Sequence, residues 1–157
     1  MTSPNYPEPP SGPILGLDLG QKRVGVAVSD ELRISITRLK PLPRTNWKQL
    51  LRDVAEAVRK LNARTLVIGL PLSLDGSEGS AAKTAHETAK KFAQSLSIPV
   101  FLQDERLTSV AAAEQLRAAG HNPREMRNLI DSEAAAIILA DFISSSEART
   151  LVSPASE

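Results

Sequence analysis

The chain reads as an α/β domain, a mixed five-stranded sheet flanked by helices, and three observations predict it. The block ILGLDLGQKRVGVAVSD, from Ile14 to Asp30, holds two apolar runs joined at Gly20-Gln21-Lys22. That link is too short for a parallel crossover, so the pair is an antiparallel hairpin. The run TLVIGL, Thr65–Leu70, is continuously apolar, as expected of a strand covered on both faces. Stretches of helical spacing separate the later strands, which makes them parallel by right-handed crossover.

The elements follow in order. Residues 1–12, MTSPNYPEPPSG, are rich in Pro and Ser and are expected to form a disordered tail. Strand one is Ile14–Leu19 and strand two Arg23–Ser29. A third short strand over 34–39 follows the turn at Asp30-Glu31. After Pro41 and Pro43, Asn46 is placed to cap a helix whose buried face is Trp47, Leu50, Leu51, Val54, Val58 and Leu61. Thr65–Leu70 comes next, then the loop PLSLDGSEGS with its turn residues. A helix over about 81–96 and a strand over 99–103 follow. Ser109 can cap a short helix that Gly120 closes, and Asp131 is expected to open the last helix, SEAAAIILADFI. The ordered domain is therefore 13–144, with 145–157 a flexible C-terminal tail. Three antiparallel strands followed by helix, strand, helix, strand, helix is the pattern of the ribonuclease H-like fold.

Composition narrows the function classes. The chain has no cysteine, which excludes disulfides, thiolate metal sites and a thiol nucleophile. The absence of a basic, then apolar, leader and of any long apolar run predicts a cytoplasmic protein with no membrane association. Net charge is only +1, but its distribution is uneven. Arg38, Lys40, Arg44, Lys48, Arg52, Arg59, Lys60 and Arg64 face only Asp53 and Glu56, and Arg117, Arg124 and Arg127 cluster near His121. Such stretches either track a phosphate backbone or form a solvated helix face.

Chemistry concentrates in the carboxylates. Strand alternation puts Ile14, Gly16 and Asp18 on one face and Leu15, Leu17 and Leu19 on the other. An ionised carboxylate in a strand core costs several kcal/mol unless it is paired or holds a metal. Gly16 and the small residues of strand two leave room for another element, for which the alanine-rich start of the last helix is suited. Glu105, beside Asp104, lies at the C-terminal end of a predicted parallel strand, where open α/β sheets build their sites. Asp18, Asp131 and an acid from Asp104-Glu105 together offer hard oxygen ligands for Mg²⁺, and two such ions support phosphodiester hydrolysis. Each acid also has a structural alternative: Asp18 paired with Lys22 or Arg23, Glu105 with Arg106, Asp104 capping a turn, Asp131 as an N-cap. The loop Pro71 to Ser80 either cradles a phosphate, with Asp75 or Glu78 nearby, or is an ordinary surface loop.

GLDLGQKRVGVAVSD, VIGLPLSLDGSEGS, DERLTS and IDSEAAAIIL occur in the order seen in the YqgF family, also called RuvX, and the chain resembles that family over about 13–143. Its members are Holliday-junction-resolvase-like proteins, also described as pre-16S rRNA nucleases. The resemblance implies that Asp18, Glu105 and Asp131 are a catalytic, metal-binding triad and that Lys22 and Arg23 contact substrate phosphate, with Arg106 beside them. Leu19 and Gln21 depart from the family pattern, which often has an aromatic and a small hydroxyl residue there. The implied activity is a metal-dependent endonuclease that processes the 5′ end of pre-16S rRNA in ribosome biogenesis. Its partners would be precursor rRNA and a pre-ribosomal particle, with the protein a monomer or homodimer. The alternatives are a Holliday junction resolvase acting on DNA and a catalytically inert nucleic-acid-binding module. An ATPase of the actin and sugar-kinase type shares the hairpin but needs two such domains.

Overall fold

A computed structural model describes residues 8–72, 75, 77–105, 118, 120, 123–144 and 149–153, and for 123–131 the backbone alone. Along the described chain run β1 (Ile14–Leu19), β2 (Arg23–Ser29), β3 (Ile36–Pro43), α1 (Trp47–Leu61), β4 (Thr65–Leu70), α2 (Ser80–Ser95), β5 (Val100–Asp104), α3 (Pro123–Ser144) and β6 (Arg149–Leu151). The short helix expected between Ser109 and Gly120 falls almost wholly outside the described residues.

The strands form one sheet in the order β3-β2-β1-β4-β5-β6. β1–β2 and β2–β3 are antiparallel, and β1–β4 and β4–β5 are parallel, as the hairpin and the intervening helices require. The sheet has six strands, not five. The sixth is Arg149–Leu151, antiparallel to β5, so that part of the expected C-terminal tail is ordered structure. Three residues of RTL carry no periodic signal. They are held from outside, by the β5 ladder and by Arg149, whose Nη2 donates to Phe142 O at 2.5 Å.

β3 also differs from expectation, starting two residues later and running through Pro41 and Pro43. The Asp30 carboxylate accepts hydrogen bonds from the amides of Ile34 and Ser35 at 2.7 and 2.9 Å, which takes both out of the ladder. β3 is an edge strand, where a proline's missing donor can face solvent. A register shift between Val24 and Val26 accommodates its far end.

α1 begins as expected, with Asn46 Oδ1 accepting from Gln49 N at 2.9 Å. It ends at Asn62 in the left-handed region (φ 54°), whose amide turns back to the last helical carbonyls. α3 starts at Pro123, eight residues before the predicted Asp131. Proline is pre-organised for a first helical position, and nothing between it and Asp131 breaks a helix. Asp131 therefore lies inside a helix and does not cap one.

The two faces of the sheet carry separate cores. Leu15, Leu17, Val24, Val26, Leu66, Ile68 and Leu102 pack with Leu50 and Val54 of α1 and Ala85, Ala89 and Phe92 of α2. Ile14, Ala27, Val67 and Phe101 pack with Ala135, Ile138, Leu139 and Phe142 of α3. Burying each of the Leu, Ile, Val and Phe side chains among these contributes roughly 1.5–3 kcal/mol. Edge-on aromatic pairs sit in both layers, Trp47–Phe92 at 4.8 Å and Phe101–Phe142 at 5.1 Å between ring centroids. Among the described residues no helix is long and apolar enough to cross a membrane.

Candidate active site

Asp18 lies on the sheet face that α3 covers, as strand alternation predicts. Gly16 makes that cover possible. A Cβ there would stand 3.3 Å from both Ala135 O and Leu139 Cβ, so the helix rests almost on the β1 backbone. Ala134 and Ala135 are buried at the contact.

Glu105 follows the last residue of β5, and its amide donates to Leu70 O at 3.1 Å. In the sheet, β4 lies between β5 and β1. The carboxylate of Glu105 crosses that strand at Gly69, where any side chain would collide with it. The β1–β4 pairing reaches Leu17↔Ile68, so Asp18 and Gly69 are the next residues along the two strands. Glu105 thereby meets Asp18 and shares a hydrogen bond with it. Burial, then the Asp18 charge, then that hydrogen bond push the Glu105 carboxyl up to about 8, and Asp104 adds a smaller effect.

The structure brings together two of the three predicted acids, Asp18 and Glu105. The side chain of Asp131 is outside the described residues, as is Arg106. Among the described residues no third carboxylate or histidine completes a three-ligand set. The helix around Asp131 is nonetheless well anchored. Ser132 Oγ donates to Leu39 O at 2.5 Å, and Arg38 makes two 2.6 Å bonds to the buried Glu133 carboxylate. Both tie α3 to β3.

Lys22 is exposed in the β1–β2 turn, and Arg23, half-buried, opens β2 opposite Pro43. Arg44 braces this turn, its Nη1 donating to Gly20 O at 2.7 Å and its amide to Lys22 O at 3.0 Å. A cavity of about 230 Å³ opens beside it, between Leu19, Gly20 and Gln21 and the start of α2 at Ser80, Ala81 and Thr84. In the following loop the two acids have local partners. Asp75 Oδ1 accepts from Ser77 N at 2.9 Å, and Glu78 lies 3.1 Å from His86 Nε2.

Sequence reasoning passed over Gly69 and Asp141. Gly69 interrupts an otherwise unbroken apolar strand, which is the signal for a close approach. Asp141 lies in the last turn of α3, with its carboxyl raised by burial and then by Asp104. A lone acid near a helix end carries no comparable sequence signal.

A mixed sheet in this order, flanked by helices on both faces, has the α/β fold of RuvC. The structure superposes on Thermus thermophilus RuvC with a TM-score of 0.55 at 14% identity, covering 88% of this chain and 99% of that one. Against the same organism's RuvC in complex with a Holliday junction substrate, the TM-score is 0.51 at 16% identity, covering 87% and 98%. The chain belongs to the RuvX family, described as Holliday junction resolvase, which matches residues 12–145. A Picosynechococcus protein named "Putative pre-16S rRNA nuclease" is 40% identical over 129 residues, 82% of this chain and 90% of the relative. A Syntrophus aciditrophicus protein of the same name is 39% identical over 130 residues, covering 83% and 87%.

Proposed function

We propose that the chain is a metal-dependent endonuclease that hydrolyses phosphodiester bonds in structured nucleic acid, with the leader of pre-16S rRNA as its substrate in the cytoplasm. The observation that carries this reading is the pair Asp18–Glu105. A fold gains nothing from two carboxylates held in one another's field, one half-buried and raised to about 8. Membership of the RuvX family and the name shared by its curated relatives support the substrate.

The donor chemistry fits a hard divalent cation, Mg²⁺ or Mn²⁺. Asp18, Glu105 and Asp131 would hold such a cation, whose charge would favour the ionised form of Glu105 against its burial and the Asp18 charge. Bound there, such a cation supplies Lewis acidity at the scissile phosphate. Lys22 in the β1–β2 turn and Arg23 at the start of β2 meet flanking phosphates, with Arg106 assigned the same role. During hydrolysis water adds to phosphorus, the phosphorus–oxygen bond breaks, and the leaving oxygen takes up a proton.

The test is cleavage of a labelled pre-16S rRNA leader with Mg²⁺ or Mn²⁺, comparing wild type with Asp18→Asn and Glu105→Gln. Both variants should fold and bind the leader without cutting it. Cleavage by Asp18→Asn at the wild-type rate would refute the mechanism. A four-way DNA junction run in parallel assigns the substrate, since paired symmetric cuts there and an intact leader would make DNA the target.

A further inference from the structure

Between Arg38 and Arg64 the sequence sets eight basic residues against two acidic ones, and the fold gives some of them partners and leaves others exposed. Arg38 is committed to Glu133. Lys60 pairs with Glu56 at 3.2 Å, and Asp53, the other acid, accepts from Gln49 Nε2 at 2.9 Å. Lys48, Arg52 and Arg59 are exposed and belong to no ion pair among the described residues.

Helical geometry aligns these three. At about 100° per residue they fall within a sector of about 40°, forming one outward ridge along a helix about 22 Å long. The ridge starts at the end of the sheet where the site lies, on the face opposite α3. Arg44 stands just ahead of α1 and bonds to the turn that carries Lys22.

The start of the ridge is unfavourable for the helix that bears it, although Arg59, in the last turn, is favoured by the helix dipole. Lys48 and Arg52 are like charges four residues apart, which destabilises a helix by about 0.2–0.5 kcal/mol. Lys48 also stands in the first turn, where the helix dipole disfavours cations, and that turn holds no acidic residue. A merely solvated face has no reason to keep this arrangement, whereas an anionic ligand laid along it reverses both penalties.

We propose that Lys22, Arg44, Lys48, Arg52 and Arg59 form one cationic track that binds successive backbone phosphates of the RNA strand leading away from Asp18 and Glu105. The direction of the track rests on the nuclease reading, but its binding does not require cleavage.

The test therefore measures binding alone, in EDTA, with an RNA hairpin bearing a single-stranded extension, across about 50–200 mM KCl. The track variant is Lys48→Gln, Arg52→Gln and Arg59→Gln together. The charge-matched control is Lys60→Gln, Lys83→Gln and Lys90→Gln. Each phosphate contact contributes about 0.7–0.9 to the slope of log affinity against log salt. The track variant should lose about two to three from that slope and bind tenfold or more weakly, while its melting temperature stays close to that of wild type, since the relief at Lys48 and Arg52 offsets the loss of Arg59 from the last turn. The control should keep most of the slope. Equal slopes and affinities for the two variants would overturn the proposal, and an acidic protein as the true partner would give that result. Loss of cleavage in Asp18→Asn with the slope intact would leave the track standing, so the two readings fail separately.

Discussion

The carboxylate of Glu105 occupies the space that a side chain at Gly69 would fill. A methyl group there would overlap Oε2, lie 2.9 Å from Cδ and press on Ile138 Cδ1 at 2.5 Å. The glycine is thus a window in β4 through which an acid just past β5 reaches an acid on β1.

Gly69→Ala should therefore separate activity from stability. The groups that must move are the ends of two flexible side chains, so the stability loss should be about 1–2 kcal/mol, at the low end for overpacking. Displacing Glu105 from Asp18 should lower cleavage at least a hundredfold. Urea unfolding and a leader-cleavage assay on the same preparation check both parts.

The raised Glu105 carboxyl gives metal-free protein a defined pH response. Its ordinary value is 4.5 and its folded value about 8, so between these the native state holds a proton that the unfolded chain releases. Stability contributed by that proton is fully present at lower pH and is lost as pH rises from 4.5 through about 8. Glu105→Gln should flatten this decline and be more stable than wild type above pH 8. Melting temperatures measured across pH in EDTA test the sign.

Arg38→Ala should destabilise more than Glu133→Gln. Removing the guanidinium strands a carboxylate whose side chain is only 5% exposed, whereas the amide keeps a hydrogen bond to Arg38 and leaves no buried charge. Because Arg38 is half-exposed, its loss should cost about 2–3 kcal/mol, below the 3–5 kcal/mol of a fully buried pair. Denaturant unfolding of the two single variants ranks them.

Arg149→Ala should loosen the end of the sheet. Its guanidinium caps Phe142 O and lies 4.1 Å from the centroid of the Phe142 ring. Losing a charge-assisted hydrogen bond and a cation–π contact should cost about 2–3 kcal/mol. Amide exchange should accelerate first along β6 and the edge of β5 that it covers.

Much of the fold was legible because it depends on near neighbours. Alternation placed β1 and β2 at their observed bounds, TLVIGL marked β4, and Asn46 marked the start of α1. Where a distant group intervenes, the reading failed. Asp30 shifted the start of β3, an edge position let that strand run through two prolines, and a ladder with β5 turned RTL into a strand. Asp131 is a different case: it lies inside α3 because the helix starts at Pro123, a local signal.

The candidate site divides in the same way. The order of residues along the chain is enough to single out Asp18 as a charge needing company, because a two-residue period fixes which face of β1 it occupies. Which acid keeps it company depends on β4 lying between β1 and β5 and on Gly69 having no side chain, and packing across the sheet alone settles that. The same holds for the basic stretch. Its charges are plain in the sequence, but only the folded chain commits Arg38 and Lys60 to partners and leaves Lys48, Arg52 and Arg59 aligned. A local period specifies direction, whereas the meeting of charges far apart in sequence depends on which strands the whole fold makes neighbours.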